Sequence, residues 1–176
     1  MKALKMVLLV IVSIIALFLI TALFVKKDYD VERSITINKS KQDVFDYMKH
    51  LKNQDNYSKW VMMDPNMKKT FTGTDGTVGF VYAWDGNKQA GKGEQEIKSI
   101  TEGEKLDVEV RFEKPFKSTA YAPMSTENVG NGQTKVTWGL KGTSSYPMNI
   151  MNLFMDGMLG KDIDVSLNNL KAILEK

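Results

Sequence analysis

The sequence predicts an α+β fold in which a curved antiparallel sheet of about seven strands grips a long C-terminal helix. Two observations lead to this prediction. Between residues 31 and 143, short segments of alternating apolar and polar residues are separated by turns, as is typical of antiparallel strands. From Pro147 onward, apolar residues recur every three or four positions, which is the stripe of one amphipathic helix. We expect this helix to cover the apolar face of the sheet.

An N-terminal segment, Met6 to Val25, is apolar enough to cross a membrane. It carries no charge, and fifteen of its twenty residues are Leu, Ile, Val or Phe. Twenty helical residues span roughly 30 Å, the thickness of the hydrocarbon core of a bilayer. A cleaved signal peptide has a shorter apolar region and a small-residue cleavage site, whereas this segment ends in Lys26 and Lys27 without such a site. We therefore predict an uncleaved single-pass anchor over residues 1–27.

The charges that flank the anchor leave its orientation open. Lys2 and Lys5 balance Lys26 and Lys27, and the positive-inside rule needs an excess on one side. A short basic head before a single span usually stays inside, so we expect the domain on the extracytoplasmic side.

Residues 28–176 are enough for one domain with a hydrophobic core. The four lysines that flank the anchor carry more than the whole net charge of +3, so this domain has no basic excess with which to bind nucleic acid. The chain has no cysteine and one histidine, His50, which excludes disulfides and argues against a metal site. We expect no cofactor.

Each element of the domain has a local signal. Residues 31–37 alternate as a half-buried strand, and Ser40 is a good N-cap for a short helix. Gly157 and Gly160 interrupt the stripe of the final helix, which fits either close packing against the sheet or a hinge. The other strands are predicted in a glycine-rich hairpin at residues 71–79 and at residues 80–84, 94–100, 106–112, 119–128 and 133–140.

Short motifs along the domain follow one another in a characteristic order. They are Ser40-x-x-x-Val44-Phe45 followed by Leu51 and Trp60, Gly76-x-x-Gly79 with Trp84, Gly91-x-Gly93-x-Gln95-x-Ile97, Thr134-x-Val136-x-Trp138, and Gly160 with Leu167, Leu170 and Lys171. This order resembles the START-like superfamily, also called SRPBCC, over roughly residues 31 to 175. The superfamily includes polyketide cyclase/dehydrase-like proteins and activators of the heat-shock chaperone ATPase. It shares a helix-grip fold with a cavity rather than one reaction, so the resemblance implies a binding cavity.

Aromatic residues on the strands and methionines on the final helix form the candidate lining of this cavity. Together they make a wall that can repack around an apolar guest. The same residues are equally compatible with a solid core that contains no cavity. The candidate ligand-binding residues are Tyr82, Trp84, Val110, Phe112, Trp138, Met148, Met151, Met155 and Met158.

We therefore expect a membrane-anchored protein that binds a small hydrophobic or amphipathic, lipid-like molecule. An enzyme of the cyclase or hydrolase type is one alternative, but its acid–base pair would have to come from carboxylates without a distinguishing signature, such as Glu94, Glu96, Glu109 or Glu127. We assign no catalytic residue. A protein-interaction module is the other alternative, and it would expose a sizeable apolar or charged patch. The outward-facing residues, a mixture of Lys, Glu, Asp and Thr, predict no such patch.

Overall fold

The computed structural model describes residues 2–176 and contains an eight-stranded antiparallel sheet, a long C-terminal helix and an apolar N-terminal helix. This confirms the predicted helix-grip fold. Short 3-10 turns precede the third and fifth helices, at Leu51–Asn53 and Met148–Met151. The helices are α1 (Lys2–Phe24), α2 (Lys41–Met48), α3 (Gln54–Tyr57), α4 (Lys59–Met62) and α5 (Asn152–Leu174). The strands are β1 (Asp28–Ile37), β2 (Lys68–Thr72), β3 (Val81–Asp85), β4 (Lys92–Thr101), β5 (Lys105–Lys114), β6 (Ser118–Tyr121), β7 (Met124–Gly130) and β8 (Gln133–Thr143).

The strands lie in the order β1-β8-β6-β5-β4-β3-β2, and β7 follows β6 in the same position between β5 and β8. The predicted strand over residues 119–128 is therefore two strands. Pro123, which has no N–H to donate, stands at the break between them. This break accounts for eight strands where about seven are predicted.

One face of the sheet is apolar and is covered by α5 and the short helices. On β5, Leu106, Val108 and Val110 are buried and the residues between them are not, as the alternation predicts. On α5, Ile163, Leu167 and Leu170 are buried against this face. The helix packs mainly along β1, at one side of the sheet.

An ion cluster on the inner face fixes α5 against β1. The guanidinium of Arg33 donates two hydrogen bonds to the carboxylate of Asp156, each 2.9 Å long, and its Nε lies 3.4 Å from Asp164. Gly160 lies directly over this guanidinium, where a Cβ atom would collide with Arg33. Gly157 has open space around it. Close packing thus explains Gly160, and α5 runs without interruption through both glycines.

The first part of the predicted apolar stripe does not face the sheet. Met148 and Met151 belong to a 3-10 turn rather than to α5, and they are 52% and 40% exposed. Phe154 and Met158 in the first turns of α5 are 59% and 57% exposed. The prediction that the domain exposes no large apolar patch is therefore wrong for the segment from Met148 to Met158.

The C-terminal end of α1 is joined to the domain by asparagine side chains. The Asn149 amide donates to the carbonyls of Ala22 (2.7 Å) and Val25 (2.8 Å), and the Asn152 amide donates to those of Lys26 (3.0 Å) and Lys27 (2.7 Å). The bonds to Ala22 and Val25 satisfy carbonyl groups that the end of the helix leaves without partners. Ala22 is the buried residue of α1, and the helix as a whole is long and apolar enough to span a membrane.

The two glycines of α5 should respond differently to alanine. Gly157→Ala should raise the free energy of unfolding by about 0.5–1 kcal/mol, because alanine favours the helix and the site is open. Gly160→Ala should gain less, because the new methyl group displaces the Arg33 guanidinium from Asp156. Urea unfolding of the detergent-solubilised chain measures both values. An equal gain in both variants would contradict the packing role of Gly160.

Candidate ligand-binding site

A cavity of about 260 Å³ lies between the inner face of the sheet and the helices α3, α4 and α5. Its wall is mostly apolar and aromatic. It is lined by Gln54, Ser58, Trp60, Val61, Met63, Met67, Tyr82, Trp84, Gln89, Ala90, Gly91, Gln95, Val110, Phe112, Lys114, Pro115, Ala122, Trp138, Leu140 and Leu159.

The five strand residues of the predicted site come together in this wall. Tyr82, Trp84, Val110, Phe112 and Trp138 all line the cavity. Within this set, the rings of Trp84 and Phe112 meet edge to face, with centroids 5.9 Å apart. Strand parity is sufficient to find them, because alternate residues of a strand point to the same face.

Gly93 is the reason why the Trp84 indole can reach Phe112. Its strand, β4, lies between β3 and β5, and Gly93 pairs with Trp84 on one side and Phe112 on the other. A Cβ atom at Gly93 would lie 2.8 Å from the indole, which is closer than van der Waals contact. The aromatic wall therefore needs a residue without a side chain at this position.

The four methionines of the predicted site do not line the cavity. Met148, Met151 and Met158 are exposed, and Met155 packs at the margin of the core. The chain turns before α5 so that Met148 and Met151 lie beside the end of α1. The lining residue that α5 supplies is Leu159.

The helices α3 and α4 contribute lining residues that strand and helix periodicity do not reveal. Trp60 packs edge to face on Trp138 at 5.6 Å, and Val61 lies beside it in the wall. Both residues belong to α4, and a helix of four residues is too short for periodicity to indicate which side faces inward.

Two buried side-chain amides form a polar region in the otherwise apolar wall of the cavity. The Gln95 side-chain amide nitrogen donates a 2.9 Å hydrogen bond to the side-chain amide oxygen (Oε1) of Gln54, and both residues are buried. Gln95 lies at an inward position of β4, between Gly93 and Ile97, so strand parity could have found it. Ser58, also buried, brings a hydroxyl group to the same wall.

Tyr82 is held as a neutral phenol. Its hydroxyl donates a 2.8 Å hydrogen bond to Asp55, whose other oxygen lies 2.8 Å from Lys69. Burial raises the pKa of Tyr82 far above its usual range, and the hydrogen bond to Asp55 raises it further. Tyr82 therefore acts as a wall residue and a hydrogen-bond donor rather than as a base near neutral pH.

The carboxylates considered for acid–base chemistry lie outside the cavity. Glu94, Glu96 and Glu109 are on the outer face of the sheet, where all three are hydrogen-bonded to Arg111. Arg111 also lowers the pKa of Glu96, so this carboxylate stays ionised. Glu127 is exposed on β7. Within residues 2–176, no group of three or more His, Asp and Glu side chains is arranged to hold a metal ion.

The cavity reaches the end of the sheet from which α1 leaves. The β1 strand begins there at Asp28, which pairs with Thr143 of β8. Because neighbouring strands are antiparallel, β5 ends and β4 begins at this same end. The loops that follow β3 and β5 supply Gln89, Ala90, Gly91, Lys114 and Pro115 to the lining.

The two buried amides should depend on each other for their contribution to the free energy of unfolding. Gln54→Met or Gln95→Met leaves the other amide without its partner, which should destabilise the protein by about 1–3 kcal/mol. The double variant should lose less than the sum of the two, because it leaves no unpaired amide. Urea unfolding followed by tryptophan fluorescence measures this coupling. Strict additivity would mean that the two amides do not depend on each other.

Solved structures with the same architecture show low sequence identity to this chain. A protein, CV1439, from Chromobacterium violaceum is 10% identical with a TM-score of 0.61, over 84% of this chain and 97% of that one. Ara h 8.0201 is 11% identical with a TM-score of 0.60, over 84% and 97%. The di-domain ARO/CYC StfQ from the steffimycin biosynthetic pathway is 10% identical with a TM-score of 0.63, over 84% of this chain and 51% of that one. These likenesses show the shared fold.

A comparison with curated proteins finds no match. The family described as polyketide cyclase / dehydrase and lipid transport matches residues 28–175, which is nearly the whole chain after α1. The matched region contains the sheet, α5 and every residue that lines the cavity. From β1 to the C-terminal helix, this chain belongs to the polyketide cyclase/dehydrase and lipid transport family.

Proposed function

We propose that this protein is held in a membrane by α1 and binds a small hydrophobic or amphipathic molecule in its cavity. The observation that carries the proposal is an aromatic-lined cavity that reaches the end of the sheet next to α1. A ligand that partitions into a bilayer would then have a short path to the cavity. The family description, which includes lipid transport, is consistent with such a ligand.

The wall restricts the ligand to a small and largely apolar molecule. A volume of about 260 Å³ lies just below the range of roughly 300–1,000 Å³ that is usual for drug-sized ligands. The Gln54 and Gln95 amides can bond one polar group in the interior, and the exposed Lys114 in the wall can pair with an anionic end. A short-chain amphiphile, or one end of a longer lipid, fits this pattern.

The contacts at the end of α1 support a retained helix rather than a removed signal peptide. Asn149 is buried, and its amide nitrogen is hydrogen-bonded to two carbonyl groups of residues 22 and 25. Cleavage before residue 28 would remove both of these hydrogen bonds. A retained α1 also places β1 directly at the membrane surface.

Quenching of tryptophan fluorescence tests ligand binding, because all three tryptophans of the chain line the cavity. These are Trp60, Trp84 and Trp138. A brominated medium-chain fatty acid, titrated into the detergent-solubilised protein, should quench them with saturation. Val110→Phe fills the cavity and should weaken or abolish this saturable quenching.

The matched control is Val78→Phe, the same substitution at an exposed position in the loop before β3. The fatty acid should quench the tryptophan fluorescence of this variant to the same extent as that of the wild type. Binding of the same strength in the Val110→Phe variant, with its fold intact by circular dichroism, would contradict a ligand site in this cavity.

Membrane retention of the whole chain tests the anchor. In membranes washed with alkaline carbonate, the full-length protein should remain with the lipid and have the mass of the complete chain. A variant that begins at Asp28 should be released, since it lacks α1. A soluble native product that starts after residue 25 would show that α1 is a signal sequence.

A further inference from the structure

The exposed large apolar side chains outside α1 are concentrated in one short segment. Six of these thirteen side chains fall within residues 146–158, and each of the six is 40–60% exposed. We refer to these six as the 146–158 face. They are Tyr146, Met148, Met151, Leu153, Phe154 and Met158.

This face lies beside the end of α1. The Tyr146 hydroxyl donates a 3.3 Å hydrogen bond to the carbonyl of Leu19, which lies inside the apolar helix rather than at its end. Asn152, at the start of α5, is bonded to the carbonyls that follow α1. Because a helix rises about 1.5 Å per residue, Phe154 and Met158 are within about 10 Å of Asn152 along α5.

We propose that the 146–158 face lies in the interfacial region of the bilayer that α1 spans and fixes the orientation of the domain. The proposal rests on the membrane anchoring given under the proposed function. Once α1 is embedded, Tyr146 is bonded to a residue within the span, so the rest of the face cannot be far from the lipid. An apolar surface gains free energy at the boundary between headgroups and acyl chains, and tyrosine is enriched at that depth.

The same contact explains how the cavity meets the membrane. Leu159, which lines the cavity, follows Met158 directly on α5. Phe116, in the loop after Lys114 and Pro115, is 74% exposed at the same end of the sheet. A domain held on the bilayer by the 146–158 face would therefore bring this end of the cavity close to the lipid surface.

Site-specific fluorescence can test this contact because the chain contains no cysteine. Phe154→Cys and Met158→Cys would each carry an environment-sensitive nitrobenzoxadiazole label in the full chain. The protein is reconstituted in vesicles of phosphatidylcholine and phosphatidylglycerol in equal amounts. Quenching by doxyl-labelled lipid and by aqueous iodide then reports the position of each label. Val12→Cys, in the middle of α1, is the lipid control, and Val129→Cys, at the opposite end of the sheet, is the water control.

The labels at positions 154 and 158 should emit at shorter wavelength than the label at 129, lose most of their fluorescence to doxyl lipid and resist iodide. If iodide quenches them as it does the label at 129 while position 12 is quenched by lipid, the anchor holds and the contact proposal is overturned. Protection from both quenchers would also overturn it, in favour of a protein partner or self-association. If the label at position 12 is itself not quenched by lipid, α1 does not span the bilayer, and both the anchor and the contact fail.

Discussion

A single helix has to cover a sheet that is much wider than the helix, and the cavity follows from this mismatch. An α-helix with its side chains is about 10 Å across, whereas seven strand positions spaced by about 4.8 Å make a sheet on the order of 30 Å wide. The α5 helix packs mainly along β1 and is held there by Arg33. The short helices α3 and α4 cover part of the remaining inner face, and the cavity occupies the space that they leave.

Much of the fold could be predicted because burial leaves a simple pattern in strands. The inward positions of β3, β5 and β8 alternate, so the aromatic wall could be identified from the sequence. The same parity places Gln95 on the inner face, so it could have been identified in the same way. Its partner, Gln54, could not be found in this way, since it lies in a helix of one turn.

The methionines show that an apolar pattern in a helix does not identify the surface against which the helix packs. A stripe of apolar residues indicates that a helix side avoids water, but it does not distinguish a protein core from a lipid surface. Met155 packs on the core, whereas Met151 and Met158 are exposed. The packing of Gly160 over Arg33 was equally hidden, because it depends on a contact between residues far apart in the sequence.

We propose that the space between sheet and helix is a ligand site supplied from the membrane. Native mass spectrometry of the full chain, purified from its source cells and compared with its denatured mass, tests this proposal. We predict one discrete extra mass that survives removal of detergent, corresponds to a small apolar or amphipathic compound and is absent from the Val110→Phe variant. An identical extra mass on that variant, or an empty wild-type protein that fails to take up such compounds when they are added, would show that the cavity is not a ligand site.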